Sequence, residues 1–270
     1  MKTEQVKQVT DQALGQLITA LEQGRSATLT RYLAAMARFH RYSFHNVMLI
    51  YTQKDDASHV AGFHSWRKLG RFVKKGEKGI LILAPMIFKR DAEPSANDEE
   101  KTILRFKAAY VFDITQTDGE PLPDFATVQG DPSTHLESLK QFVSDRGIAL
   151  EYSESISPAR GVSHGGRITL LPNLSPADEF AVLVHEAAHE MLHRAERRAA
   201  TDKTIRETEA EAVAFVVCQS IGLETGTAAS DYIKLYSGDR ETLTASLQFI
   251  QQTACEIIAA LQPKTNDQPD

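Results

Sequence analysis

One short segment constrains the fold of this chain more than any other, a helix-forming stretch with two histidines four residues apart, His185-Glu186-Ala187-Ala188-His189. Ser175 is a favourable N-cap ahead of it, and Pro176 suits the first helical position. Apolar residues at 181–184 and 187–188 predict that the helix is buried. Histidines one turn apart share a face of that helix, so both imidazoles can bind one metal ion.

A buried helix with unpartnered histidines and a glutamate would be costly, which favours a metal site over a helix with surface histidines. Glu186 stands next to the two imidazoles, where a carboxylate can take a proton from water. The motif therefore predicts a peptidase in which His185 and His189 bind zinc and Glu186 is the catalytic base.

The third zinc ligand is predicted on the next helix, where Glu207 and Glu211 lie one turn apart. Their spacing resembles that of thermolysin-like zincins, in which a ligand glutamate is followed four residues later by a carboxylate that orients a ligand histidine. We therefore predict Glu207 as the ligand and Glu211 as the orienting residue. Both face the same way, so the reverse assignment stays open, whereas Glu209 points elsewhere. His193 does not fit the metzincin spacing and is predicted to be structural.

A peptidase of this kind also needs an edge strand that pairs with its substrate, and Arg167–Leu171 is the natural candidate. The same strand can serve the core, and the two roles are compatible. Three residues are weaker candidates for transition-state stabilisers and are more simply explained as packing residues: Tyr232, Tyr236 and His164.

Charge is distributed unevenly along the 270 residues. Residues 1–90 carry 15 Lys and Arg against 6 Asp and Glu, a net charge of +9, whereas residues 91–270 carry −15. A basic half joined to an acidic half predicts two domains, of which the first faces a polyanion. The chain has only two cysteines, no secretory signal pattern and no apolar run of 18 residues, which predicts a cytoplasmic protein without a membrane segment.

Apolar spacing predicts an α+β fold. Helices are expected at 3–23, 28–42, 44–52, 65–69, 135–146, 176–197, 204–221, 228–236 and 240–261. Strands are expected at 71–73, 80–89, 103–113, 148–153 and 165–171. Residues 91–100 are predicted to form a polar loop, and the Pro- and Gly-rich residues 114–134 to connect the two domains.

The basic half concentrates its cations in residues 66–78, where six Lys and Arg accompany Trp66 and Phe72. Phosphates need cations and unstacked bases need aromatic platforms, so this composition is typical of a surface for single-stranded nucleic acid. A solvated lysine-rich hairpin with a core tryptophan has the same composition, and the spacing alone favours neither. Arg41 lies on a second basic face that can extend this surface.

The first half looks like the N-terminal domain of ArdC-type antirestriction proteins, a resemblance carried by the runs Tyr42–Ile50, Val60–Phe63, Trp66–Arg71, Val73–Ile80 and Val111–Thr117. The resemblance spans about residues 5–125 and implies binding of single-stranded DNA, as is described for that family. The second half resembles the metallopeptidase domain of the ImmA/IrrE type through His185–His189 and Glu207–Phe215.

We therefore predict a helix-plus-antiparallel-sheet DNA-binding domain at 1–125, a mostly helical zincin-like domain at 126–262 and a disordered tail at 263–270. The first domain would bind single-stranded DNA without strong sequence preference, and the second would hydrolyse a protein at or near that DNA. The alternative is a non-proteolytic DNA-binding antirestriction protein with a structural metal. Nine residues are predicted to contact DNA: Arg41, Asn46, Trp66, Arg67, Lys68, Arg71, Lys74, Lys75 and Lys78.

Overall fold

The computed structural model describes residues 2–23, 26–88, 103–120, 132–223 and 240–262. They form two compact units, one of Met1–Gln16 with His45–Pro123 and one of Leu17–Phe44 with Asp124–Asp270. The predicted α+β class is confirmed. The division near residue 124 lies next to the predicted boundary, but Leu17–Phe44 belong to the second unit rather than to the first.

Helices α1 to α9 span Lys2–Glu22, Ser26–Arg38, Phe44–Gln53, Phe63–Lys68, Pro132–Asp145, Pro176–Leu192, Ala195–Ala200, Lys203–Ser220 and Arg240–Leu261. Strands β1 to β8 span Val60–Gly62, Arg71–Val73, Ile80–Phe88, Ile103–Asp113, Thr117–Gly119, Ala149–Tyr152, Gly161–Ser163 and Arg167–Leu170. The predicted loop 91–100, helix 228–236 and tail 263–270 lie outside the described residues. Within the described ranges, no helix is long and apolar enough to cross a membrane.

The first unit is built on an antiparallel sheet in the order β1-β4-β3. Leu49 of α3 and Leu81 of β3 are buried together at its core. Two amide side chains of α3 pair with the free edge of β3: Asn46 with the backbone of Leu83, and Gln53 with the backbone of Leu81, at 2.8–3.0 Å. The helix thereby covers a strand edge that would otherwise expose unpaired backbone groups.

The second unit contains a sheet in the order β6-β8-β7, in which β8 is parallel to β6 and antiparallel to β7. Helix α6 packs against this sheet and against α5 and α8, and α2 packs on α8. The contact with α8 explains why the segment around α2 belongs to this unit, because Leu29, Leu33 and Met36 are fully buried.

Helix α6 ends at Leu192, whereas the apolar pattern predicts a helix that continues to residue 197. His193 leaves the helical conformation at φ −112° and ψ 50°, and a separate helix, α7, begins at Ala195. The side chain of His193 is buried against Glu209 of α8. The interruption is a tertiary effect, since the sequence has neither Gly nor Pro at this point.

Candidate metal centre and nucleic-acid surface

Helix α6 presents its motif as the sequence predicts. The Ser175 hydroxyl caps the helix by accepting a hydrogen bond from the backbone N–H of Asp178 at 3.2 Å. One face of α6 is buried in the core through Phe180, Leu183, Val184, Ala187 and Ala188. His185 and His189 lie at the border of that face, where their side chains keep 22% and 12% of their exposure. Both imidazoles are held by the core and can still reach a ligand from solvent.

The structure brings His185, His189 and Glu207 together as three possible ligands whose donor atoms lie within 4.8 Å of one another. The two Nε2 atoms are 3.1 Å apart, and Oε2 of Glu207 is 3.6 Å from each of them. Tetrahedral zinc with bonds of ~2.0–2.1 Å would separate its ligands by ~3.4 Å. The donor types and their spacing both fit such an ion.

Glu207 and Glu211 occupy different positions around His185, although they share a face of α8. Glu207 approaches Nε2 of His185, whereas Oε2 of Glu211 lies 3.3 Å from Nδ1 on the opposite side of the ring. A histidine that binds a metal through one nitrogen needs a partner for the other. The geometry therefore supports Glu207 as the ligand and Glu211 as the orienting residue.

The ligand trio shares its protons unequally. Burial lowers the pKa of His185, but hydrogen bonds to Glu207 and Glu211 outweigh burial and raise it to about 9. Burial and the neighbouring charge of His185 lower the pKa of His189 to about 4. Hydrogen bonding with His185 lowers the pKa of Glu207 to about 2. The trio thus consists of an anionic carboxylate at Glu207, an imidazolium at His185 and a neutral imidazole at His189. A bound cation can replace the positive charge of His185.

Glu186 lies beside the trio and is largely buried. Burial raises the pKa of its carboxyl group, although the backbone N–H of Ser163 donates a hydrogen bond to it. Gly161 packs so closely that an added Cβ would stand 2.8 Å from Cγ of Glu186 and 2.6 Å from Cγ1 of Val182. The glycine therefore leaves the room that the Glu186 side chain occupies.

The predicted substrate strand Arg167–Leu171 is wrong as an edge, because β8 is the central strand and pairs on both sides. The edge strand next to α6 is β7, which is too short for an apolar period to reveal it. Arg160 accepts from the N–H of Leu171, and the N–H of His164 donates to Arg167. Hydrogen-bonded and non-bonded pairs alternate in an antiparallel ladder, so the polar backbone groups of Gly161 point away from β8.

A cleft of about 540 Å³ lies along α6 and reaches Gly161, His185, Glu186 and Glu207. The rest of its wall combines the charged residues Arg160, Asp178 and Glu211 with an apolar part formed by Ala177, Ala181, Val182, Ala214, Cys218 and Leu223. Of the weaker candidates, His164 turns its ring toward the hydroxyl of Thr169 at 3.2 Å, and Tyr232 and Tyr236 lie outside the described residues. The cleft thus connects His185, Glu186 and Glu207 with the apolar side chains farther along α6 and α8.

Glu209, which sequence reasoning set aside, contacts the site indirectly. It faces away from the ligand trio, as expected, but its Oε2 lies 2.9 Å from Nε2 of His193, and both side chains are fully buried. His193 in turn touches the ligand His189. In the sequence, only the position of Glu209 ahead of the apolar run 212–218 indicates such a buried pair.

Four of the nine residues predicted to contact DNA are engaged elsewhere. Trp66 is only 2% exposed and donates its indole N–H to the carbonyl of Phe112, so it offers no face to a base. Asn46 is buried and pairs with Leu83. The guanidinium of Arg71 donates to Thr117, Gly119 and Glu120. Arg41 belongs to the second unit, where it donates to Gln262 at 2.8 Å.

The other five predicted residues are exposed cations of α4 and the turn after β2: Arg67, Lys68, Lys74, Lys75 and Lys78. The first unit also exposes aromatic side chains that are not among the nine predicted residues. Phe63, Phe72 and Tyr110 are 45%, 57% and 49% exposed. Tyr110 lies against Gly79, next to Lys78. Exposed rings beside cations are the combination expected of a surface for single-stranded nucleic acid, and here Phe72 rather than Trp66 provides it within residues 66–78.

Comparison with known proteins finds similarity both to the first part of the chain and to nearly its whole length. Residues 5–112 match the family model of the N-terminal domain of anti-restriction factor ArdC. An uncharacterized protein of Bacillus anthracis, pXO2-81, is 24% identical over 312 residues that include 98% of this chain. The chain spans 53% of the length of that relative, which is about half.

Two solved structures of the antirestriction ArdC protein from the R388 plasmid are similar over nearly the whole chain. The metal-free form is 22% identical with a TM-score of 0.56, and the match covers 94% of this chain and 97% of that one. The Mn(II)-bound form is 20% identical with a TM-score of 0.57, and the match covers 96% and 99%. At these identities the likeness shows a shared fold.

Proposed function

We propose that this chain, which belongs to the ArdC-like antirestriction proteins, is a metal-dependent endopeptidase that acts on protein at or near single-stranded DNA. One observation supports the peptidase activity above all others: Glu186 borders the same cleft as His185 and Glu207, and the third member of the trio, His189, lies directly behind with its Nε2 3.1 Å from Nε2 of His185. Two histidines and a carboxylate with one face open to a cleft are the ligand set of catalytic zinc in many peptidases.

Zinc fits the donor set better than manganese does, although the ArdC protein of the R388 plasmid has a Mn(II)-bound form. Imidazole nitrogens suit zinc, whereas manganese favours sites rich in carboxylate and water oxygens. When bound, zinc would polarise a peptide carbonyl and make a neighbouring water more acidic. Metal analysis of the chain purified without added metal distinguishes the two ions.

Glu186 is proposed as the catalytic base. Burial raises the pKa of its carboxyl group and so brings that pKa closer to the pH at which the enzyme would work. A pKa near the working pH suits a group that first takes and then returns a proton. The Ser163 N–H fixes the carboxylate on one side, so Glu186 can accept a proton from water and give it to the departing amine. Glu211 holds the ring of His185 in place during this transfer.

The substrate is proposed to be an extended polypeptide paired with β7. The N–H and C=O of Gly161 face away from β8 and can bind the backbone of an added strand. Such a peptide would lie along the cleft and pass the Glu186 carboxylate. Backbone pairing recognises no particular side chain, so the apolar wall around Ala181, Val182 and Ala214 would set the preference for the residue beside the cleaved bond.

The test is a cleavage screen on a bacterial proteome digested into long peptides, with metal-loaded wild type and Glu186→Gln, each with and without single-stranded DNA. We expect new peptide ends with the wild type only, at equal metal content in the two proteins. If Glu186→Gln creates the same ends at the same rate, the proposed base is wrong. If neither protein cleaves, the rival function gains support, in which the metal is structural and the protein only binds DNA.

The proposed DNA surface consists of the exposed cations Arg67, Lys68, Lys74, Lys75 and Lys78 with the exposed rings of Phe63, Phe72 and Tyr110. Within the described part of the chain, Lys75 and Lys78 have no acidic partner, so their charge is available to phosphates. Stacking on an aromatic ring contributes ~1–3 kcal/mol per base and tolerates any base, which fits binding without strong sequence preference.

The DNA proposal is tested by fluorescence anisotropy with a labelled thymidine oligonucleotide at several salt concentrations. Phe72→Ala is expected to weaken binding by about 5- to 100-fold because it removes a stacking platform. Trp66→Phe serves as the matched control, since a buried ring should alter stability and leave affinity unchanged. Equal weakening by both substitutions, or binding that salt does not affect, would contradict the proposed surface.

A further inference from the structure

The three histidines of α6 form a continuous row. His185 and His189 meet through their Nε2 atoms at 3.1 Å, and Nδ1 of His189 lies 3.0 Å from Nδ1 of His193. The first two rings border the ligand position, whereas the third is fully buried behind them. His189 is thus contacted on both ring nitrogens, one toward the ligand trio and one toward the interior.

Behind His193 the row continues into a buried carboxylate. Glu209 of α8 faces Nε2 of His193 at 2.9 Å, and its other oxygen accepts from the Arg197 guanidinium at 2.6 Å. Ser246 of α9 donates a further hydrogen bond to Glu209. The guanidinium of Arg197 stacks on the Phe249 ring at 3.7 Å. Helices α7, α8 and α9 therefore all contribute to fixing this carboxylate.

With a neutral His193, the contacts to Glu209 and His189 determine where each proton lies. A carboxylate only accepts hydrogen bonds, so Nε2 of His193 must donate to Glu209. A neutral imidazole then has only a lone pair at Nδ1, which must accept a hydrogen bond from Nδ1–H of His189. His189 consequently turns an unprotonated Nε2 toward Glu207 and His185. This is the tautomer in which Nε2 can bind a metal.

We propose that His193 and Glu209 are positioning residues that fix the tautomer and the ring orientation of the metal ligand His189. The inference rests on the metal site proposed above. The two ligand histidines would then be held in different ways, His185 by Glu211 at the cleft and His189 by a fully buried relay of two side chains. Groups that hold a ligand histidine from behind typically change metal affinity by ~10–100-fold when they are removed.

The test compares zinc affinity, by competition with a chromophoric chelator, in the full chain and in Glu209→Gln and His193→Gln. Glu190→Gln is the matched control, because Glu190 is also a buried carboxylate of this unit but accepts its hydrogen bonds from Ser163, Gly165 and Gly166. We expect about 10- to 100-fold weaker binding in the two relay variants and a change of less than about twofold in the control. The visible spectrum of the cobalt-substituted relay variants should also change.

Unchanged zinc affinity and an unchanged cobalt spectrum in both relay variants would overturn the proposal, because a merely structural pair would alter only the melting temperature. If the variants do not fold, nitrogen-15 NMR spectra of the histidine rings in the zinc-loaded wild type test the proposed tautomers instead. A proton on Nδ1 of His189 and on Nε2 of His193 supports the relay, and the reverse arrangement contradicts it. A wild type that binds no zinc overturns the metal site together with the relay, whereas tight zinc binding without peptide cleavage overturns only the peptidase.

Discussion

The proposed metal centre of the second unit and the basic surface of the first use charged side chains in opposite ways. Around α6 most ionisable groups other than the half-exposed Glu207 are buried or partly buried, and each faces defined partners, as Glu211 faces His185 and Glu209 faces His193. On α4 and the turn after β2, the cations are exposed and spread over several residues. Removing one member of a buried charged arrangement leaves its partner buried and unpaired, so the effect is large. Removing one cation from an exposed surface costs only the share of the binding affinity that one phosphate contact contributes.

The largest effect is expected for the ligand carboxylate. Glu207→Gln should weaken zinc binding on the order of a thousandfold, because one of three protein ligands loses its charge. Glu211→Gln should weaken it by only ~10–100-fold, since that side chain orients His185 from the other nitrogen. A chelator competition assay on both variants measures the difference. The opposite order would reverse the assignment of ligand and orienting residue.

A second prediction concerns the close approach of β7 to Glu186. Gly161→Ala should lower the rate of peptide hydrolysis by about 100-fold while zinc affinity changes little, because the added Cβ displaces a catalytic side chain and leaves the ligands in place. Gly15→Ala is the control, since a Cβ at that position in α1 meets nothing within 4 Å. Equal rates in wild type and Gly161→Ala would remove Glu186 from its proposed place.

The burial of a charged side chain, rather than the unit in which it lies, should decide how strongly its substitution affects the protein. Asp113 tests this expectation within the first unit. Its carboxylate is fully buried and accepts from the N–H groups of Ser58, His59 and Thr115. Asp113→Ala should therefore cost about 2–4 kcal/mol in the free energy of unfolding, measured by urea titration. Asp118→Ala, an exposed carboxylate beside Lys74, should change stability by less than about 0.5 kcal/mol.

The same residue predicts a pH dependence. Burial alone would raise the pKa of Asp113, but hydrogen bonds from Thr115, Ser58 and His59 bring it below the ordinary value of 3.8. A depressed pKa in the folded state means that the stabilisation is complete above about pH 3.8 and disappears as the pH falls through the lower folded value. The stability difference between wild type and Asp113→Ala should shrink in that acidic range. A difference that stays constant would contradict the ionised state.

The smallest effect is expected on the exposed surface. Lys75→Ala should weaken binding of single-stranded DNA only a few-fold, because one phosphate contact is lost. For the same reason, the slope of log K against log salt concentration should become shallower by about 0.7. Stability should not change. The measurement is the same anisotropy titration at several salt concentrations. Loss of binding by a factor of a thousand would show that this surface, like the metal centre, depends on single residues.

Candidate ligands for the proposed metal centre could be predicted from the sequence because the relevant spacing is local. Residues four apart on a helix share a face in any fold, so His185, His189, Glu207 and Glu211 could be placed before the tertiary structure was known. The edge strand β7 and the pair of His193 with Glu209 could not be placed, since they depend on which strand ends a sheet and on how α6 and α8 pack.

The basic surface was harder to predict because exposure is a property of the whole unit. The sequence marks Trp66 and Phe72 equally as aromatic rings among cations, yet Trp66 is buried with its indole N–H bonded to the carbonyl of Phe112, and Phe72 is more than half exposed. Asn46 and Arg71 are likewise used inside the unit, on a strand edge and on β5. Hydrogen bonds between residues that are distant in sequence decide such cases, and composition does not contain them.

The most direct test of the central claim is metal removal and replacement in a single peptide-hydrolysis assay. Wild type treated with a chelator should lose hydrolysis and recover it with one equivalent of zinc per chain. Glu186→Gln should bind the same amount of zinc and stay inactive throughout. Hydrolysis that survives complete metal removal, or that Glu186→Gln supports at the wild-type rate, would contradict a metallopeptidase built on α6 and α8.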